Sequence, residues 1–211
     1  MTKIKLCGLS RVCDIEKANE LKPDYIGFVF FVKSKRNVTA EKAKELRALL
    51  SPEIKAVGVF VDELPEKVAM LLKDGIIDIA QLHGHEDETY IKKLRSLTDK
   101  PIIKAFRVDS ESDVIRANES TADYVLLDSG DGGTGTAFDW NVLKAVRRPY
   151  FLAGGLDAYI VREAIDLLEP YAVDVSSGIE TNGLKDKEKM TAFVNSVRGY
   201  KINKERKHRS C

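Results

Sequence analysis

Cysteine is scarce in this chain, as is any excess of charge of one sign or any long hydrophobic run, and each shortage removes a class of protein. The 211 residues hold three cysteines, Cys7, Cys13 and Cys211, which cannot all pair and share no metal-ligand spacing. Neither a disulfide framework nor a zinc module is expected, and the usage fits a reducing, cytoplasmic compartment. Lys and Arg number 34 against 33 Asp and Glu, so there is no electrostatic footprint for nucleic acid. The small excess is local: Lys201, Lys204, Arg206, Lys207 and Arg209 face only Glu205 in the last eleven residues, which leaves the rest slightly acidic. No segment approaches the roughly 20 apolar residues of a membrane span, and the chain enters an alternating run directly after Met1, so neither membrane insertion nor secretion is expected. Pro- and Ser-rich linkers are absent too, which favours a single domain over residues 1–200 followed by a basic tail, 201–211, expected to be disordered.

What the chain does contain is a rhythm. Short runs rich in Val, Ile and Phe alternate with longer stretches whose apolar residues recur at helical spacing, and eight such pairs can be counted. The expected strands are Lys3 to Cys7, Tyr25 to Phe30, Lys55 to Val61, Asp78 to Leu82, Ile102 to Phe106, Tyr124 to Leu127, Tyr150 to Ala153 and Ala172 to Val175. Several are apolar on both faces, as buried parallel strands must be. The intervening stretches are amphipathic, for example Ala40, Ala43, Leu46 and Leu50, with Thr39, Asp87, Asp157 and Asp186 placed to cap helix starts. Eight strand-helix units in this length predict a small α/β fold of the (β/α)8 TIM barrel type. An open doubly wound sheet would need fewer strands, and no GxGxxG follows the first one.

In such a barrel the chemistry collects at the C-terminal ends of the strands. Polar and glycine residues cluster there: Cys7-Gly8, Ser34 and Arg36, Gln81-Leu82-His83-Gly84, Asp128-Ser129, Ala153-Gly154-Gly155 and Ser176-Ser177-Gly178. The opposite ends, entered through Pro23-Asp24 or Arg147-Arg148-Pro149, read as plain turns. Gly154 and Gly155 after strand seven, with Ser176, Ser177 and Gly178 after strand eight, offer backbone N–H groups to an anion where phosphosugar barrels hold phosphate. Each glycine alone is also explained by a tight turn. Gly130, Gly132, Gly133 and Gly135 after strand six read as either a hinge or a lid. Cys7 reads as a small core residue or a reactive thiol, Asp128 as a loop cap or an acid, and Arg36 as a surface cation or a carboxylate clamp. His83-Gly84-His85 is a weak metal signal, with His83 better read as a pocket wall. Cys13 falls in the first helix and is expected in the core.

Taken in order along nearly the whole chain, these segments resemble the phosphoribosylanthranilate isomerase family of tryptophan biosynthesis. The resemblance runs from Lys5-Leu6-Cys7-Gly8 through Gly27-Phe28-Val29-Phe30, Ser34-Lys35-Arg36, Gln81-Leu82-His83-Gly84, Leu127-Asp128-Ser129, Gly132-Gly133-Thr134-Gly135, Phe138-Asp139-Trp140 and Leu152-Ala153-Gly154-Gly155-Leu156 to Val173-Asp174-Val175-Ser176-Ser177-Gly178-Ile179-Glu180. It implies an Amadori rearrangement of a small phosphosugar substrate in the cytoplasm, without metal or organic cofactor, by a monomer or homodimer. It implies further that Cys7 is the general base and Asp128 the general acid. Arg36 would hold the anthranilate carboxylate. His83, Gly133, Gly135, Gly154, Gly155, Ser176, Ser177 and Gly178 would bind substrate. The family's Pro-x-Ser-Pro-Arg run reads Val32-Lys33-Ser34-Lys35-Arg36 here, without either proline. With no half-barrel repeat, a single substrate is expected rather than a second, histidine-pathway one.

Asp and Cys suit these two roles only in unlike surroundings. An Asp must rise about three pKa units to act as an acid at pH 7, whereas a thiol near ~8.5 must be helped to ionise. The expected site is therefore dry around Asp128 and electropositive near Cys7, with Lys5 contributing if its side chain reaches. The competing readings are a carbon-carbon lyase of the indole-glycerol-phosphate synthase kind, against which the Cys-Gly end of strand one argues, and a silent phosphosugar-binding barrel.

Overall fold

Eight parallel strands pair in chain order and close on themselves, β1 against β8. They are β1 (Lys3–Cys7), β2 (Tyr25–Phe30), β3 (Lys55–Phe60), β4 (Ile79–Leu82), β5 (Ile102–Arg107), β6 (Tyr124–Asp128), β7 (Tyr150–Ala153) and β8 (Ala172–Val175). The computed structural model describes residues 1–128 and 140–208, with backbone alone from 200 on. Helices α1 (Val12–Leu21), α2 (Ala40–Leu49), α3 (Pro65–Lys73), α4 (Glu88–Arg95), α5 (Glu111–Glu119), α6 (Val161–Leu168) and α7 (Lys187–His208) flank the barrel. The fold is the expected TIM barrel. One unit departs from the count of eight strand-helix pairs: among the described residues, the segment between β6 and β7 is the 3₁₀ turn Trp140–Ala145. Helix α7 runs as far as His208, and 209–211 lie outside the described residues.

Strand alternation sorts the side chains into two cores. Tyr25, Val57, Ile79, Ile103, Ala105, Leu126, Phe151, Ala153 and Ala172 point inward and fill the barrel. Their neighbours Ile4, Leu6, Ile26, Phe28, Ala56, Phe60 and Leu127 point outward, under the apolar faces of the helices. At the N-terminal end the barrel is plugged by aromatic rings, with Tyr124 stacked on Tyr171 at 5.2 Å and Lys3 Nζ donating to the Tyr171 hydroxyl at 2.9 Å. The turns at that end do structural work. Asp24 accepts from the Ile4 N–H, Asp78 from Ala56 and Asp123 from Ile102, at 2.8–2.9 Å, so each acid satisfies a strand-edge amide.

The helix starts follow their caps with one exception. Thr39, Asp87 and Asp186 each accept an N–H of the first turn, from Lys42, Tyr90 and Lys189 respectively. Asp157 instead caps the turn through Tyr159 and Ile160, and α6 begins only at Val161. Cys13 is half-buried rather than core, with its thiol beside the Asp14 carboxylate. Asp87→Ala should cost about 1 kcal/mol of stability, the usual value of an N-cap. Urea denaturation checks this as a lower midpoint with an unchanged slope.

Candidate active site

The same alternation that fills the barrel brings one set of polar side chains to its C-terminal mouth. Lys5 and Cys7 lie on one face of β1, two residues apart, and the strand ends carry Gln81, Asp128 and Asp174 to the same cavity. It has a volume of about 1160 Å³, and its lining includes Cys7, Arg36, His83, Asp128, Gly154, Gly155, Ser176 and Ser177. Eight of the expected site residues are thus gathered. Gly178 stands just behind them, while Gly133 and Gly135 lie outside the described residues.

The phosphate-ready loops touch one another. Gly154 and Gly155 adopt φ of +95° and +61°, which a side chain rarely tolerates, and so turn their amides where β7 ends. A Cβ on Gly178 would stand 2.0 Å from the Leu156 carbonyl oxygen, so only glycine lets the β8 loop lie against the β7 loop. Ser176 ties this corner to β1 by donating its hydroxyl to the Cys7 carbonyl at 3.2 Å.

Cys7 and Asp128 sit in unlike surroundings. Cys7 is buried, at 7% exposure, and the Asp128 side chain is 31% exposed, next to residues 129–139, which lie outside the described residues. Burial pushes the Cys7 thiol up, while the ammonium groups of Lys5 and Lys185 pull it back down against the Asp174 charge. Lys5 therefore does reach the thiol. It is fully buried and salt-bridged to Asp174 at 2.8 Å, and although burial works against its charge, Asp174 and Cys7 hold it above the ordinary lysine value. The other Asp174 oxygen, Oδ1, is buried without a hydrogen-bond partner among the described residues.

Asp128 has its own neighbour. His83 Nε2 lies 3.7 Å from Asp128 Oδ2, and His83 Nδ1 is 2.9 Å from the amide nitrogen of the buried Gln81. The Gln81 amide holds the imidazole with Nε2 facing the carboxylate. The His83 loop is pinned from beneath by Lys104, whose ammonium bonds the Gly84 carbonyl at 2.7 Å and Glu86 at 3.1 Å. His85 stands at the rim of the same cavity, exposed and paired with Asp62 at 3.0 Å.

Arg36 reaches the cavity from the loop after β2. The loop lacks the family's prolines, yet it is closed by the Ser34 N–H to the Phe31 carbonyl, the Asn37 N–H to the Ser34 carbonyl and the Arg36 N–H to the Ser34 hydroxyl. Gln81 and Glu180 stand in the sequence only as members of motifs, without a role of their own, and no pattern singles out Lys185. A buried-face lysine such as Lys5, two residues before Cys7, was the one legible signal of an internal charge pair.

A closed parallel barrel with its cavity at the C-terminal mouth and glycine loops after β7 and β8 defines a (β/α)8-barrel enzyme. The comparisons then narrow the class. A family model for N-(5'phosphoribosyl)anthranilate (PRA) isomerase matches residues 4–196. The N-(5'-phosphoribosyl)anthranilate isomerase of Caldanaerobacter subterraneus subsp. tengcongensis is 48% identical over 205 residues, covering 94% of this chain and 99% of that protein. The phosphoribosyl anthranilate isomerase structure from Thermotoga maritima superposes with a TM-score of 0.85 at 37% identity, over 94% of this chain and 100% of that one. A further isomerase structure holds reduced 1-(o-carboxyphenylamino)-1-deoxyribulose 5-phosphate, and is similar with a TM-score of 0.83 at 35% identity, over the same shares. The chain belongs to the phosphoribosylanthranilate isomerase family.

Proposed function

We propose that this barrel converts N-(5'-phosphoribosyl)anthranilate to 1-(2-carboxyphenylamino)-1-deoxyribulose 5-phosphate with Asp128 as general acid and Cys7 as general base. Family membership carries the overall reaction, and the placing of both residues on the cavity wall supports their roles. Asp128 gives its proton to the ring oxygen, the C1–O bond breaks, and the nitrogen lone pair forms a Schiff base. Cys7 then takes the proton from C2 to leave an enolamine, which returns a proton to C1 as the C2 hydroxyl becomes a ketone. Only protons move, and the formula is unchanged. His83, held with Nε2 toward Asp128, stabilises the carboxylate that remains after proton donation. No helix among the described residues is long and apolar enough to cross a membrane, and the sparse cysteines support a cytoplasmic setting.

The substrate's two anions suit the two sides of the mouth, phosphate on the glycine loops and aryl carboxylate on Arg36. Fluorescence-monitored turnover of freshly made substrate tests the whole reading, and a folded protein without turnover would leave only a binding barrel. The phosphate seat has its own test. Gly155→Val would place branched carbons on a backbone at φ +61°, and inorganic phosphate should then inhibit at least about tenfold more weakly, with the loss appearing mainly in KM. An unchanged inhibition constant would put the anion elsewhere.

A further inference from the structure

Arg36 is not alone at the mouth. Its Nε and Nη2 make a bidentate pair with Glu180 at 2.6 and 2.8 Å, which leaves the Nη1 side without a bond among the described residues. Glu180 comes from a small hairpin after β8, in which β9 (Glu180–Thr181) pairs with β10 (Leu184–Lys185). The same carboxylate takes a third bond, from Lys185 Nζ at 2.6 Å. Lys185 is buried, and its ammonium also bonds the Ser176 carbonyl at 2.9 Å and hydroxyl at 3.2 Å. Arg11 completes the clasp by donating to the Lys185 carbonyl at 2.5 Å.

We propose that Glu180 and Lys185 are positioning residues that aim Arg36 at the aryl carboxylate of the substrate and fix its distance from the phosphate loop. Three features of the arrangement carry this. A bidentate pair fixes the plane of a guanidinium as well as its place, so the remaining edge has one direction. Glu180 faces two cations and carries one charge, so the cluster keeps a net positive charge for an incoming carboxylate instead of cancelling Arg36. And Lys185 joins the carboxylate-binding arm to Ser176, so the separation of the substrate's two anions is written into one hydrogen-bonded chain. The hairpin supplies from outside the rigidity that two prolines would have given the Arg36 loop.

The inference rests on the assignment of Arg36 to the carboxylate, and the experiment separates the two. Inhibition constants are measured for two reduced product analogues, 1-(o-carboxyphenylamino)-1-deoxyribulose 5-phosphate and its counterpart lacking the carboxylate. In the unaltered protein the carboxylate should tighten binding about 100-fold, which is about 2.8 kcal/mol at 1.4 per decade. Glu180→Gln keeps the shape and removes the charge, and should cut that preference to about tenfold, with substrate KM rising more than kcat falls. Glu180→Asp keeps the charge but is one carbon short of spanning both nitrogens, and should lose about threefold. Full preference in whichever of these variants folds would overturn the positioning role. Arg36→Ala should abolish the preference, and if it does not, the carboxylate assignment itself fails. A merely structural Glu180 would weaken both analogues alike.

Discussion

Cys7→Ala and Asp128→Asn should each lower kcat at least about 10²-fold, the range expected when a general acid or base is removed, with KM little changed. Neither substitution removes a contact to phosphate or carboxylate, so ground-state binding has no reason to fall. The two should differ in how they answer to pH. Burial holds the Cys7 thiol above its ordinary range, with Lys5 and Lys185 opposing. With Cys7 as the proposed base the reactive form is the thiolate, so its fraction grows as pH rises toward that raised value, and kcat/KM should climb on the alkaline side of neutrality. Asp128→Asn should keep this rising limb at a lower level, whereas Cys7→Ala should lose it. A variant that retains more than about half of the unaltered kcat would show that its residue has no such role.

Most of the barrel was legible because buried parallel strands leave a plain mark. Runs such as Tyr25 to Phe30 and Ala172 to Val175 are apolar on both faces and end in polar or glycine residues, and their observed bounds agree. Helix starts were legible where the cap is a single side chain, as at Thr39 and Asp87. At Asp157 the capped turn precedes the helix, and a cap residue alone does not distinguish those two cases. The mouth was legible as a list of strand ends, which is why eight expected residues share one cavity. What stayed hidden is pairing across the closure. Arg36 meets Glu180 across 144 positions and Lys5 meets Asp174 across 169, and no local periodicity carries such distances.

Lys5→Met should be the most destabilising single change at the site. Among the described residues it leaves Asp174 buried with neither oxygen paired, since Oδ1 has no partner there and Oδ2 has only Lys5. Breaking a buried pair from one side costs about 3–5 kcal/mol, against a total stability of about 5–15 kcal/mol for a domain. The double variant Lys5→Met with Asp174→Leu removes both charges, and apolar replacement of a buried pair is near neutral, so most of the lost stability should return. Activity should not return with it. The Cys7 thiol would remain buried and would have lost the Lys5 cation, whose pull outweighs the opposing push of the Asp174 anion removed with it, so the alkaline limb of kcat/KM should still move to higher pH. Calorimetry and a pH profile on the two variants read the two effects apart. If the double variant recovered both stability and the original profile, Lys5 would serve only to neutralise Asp174, and the thiol would draw its help from Lys185 alone.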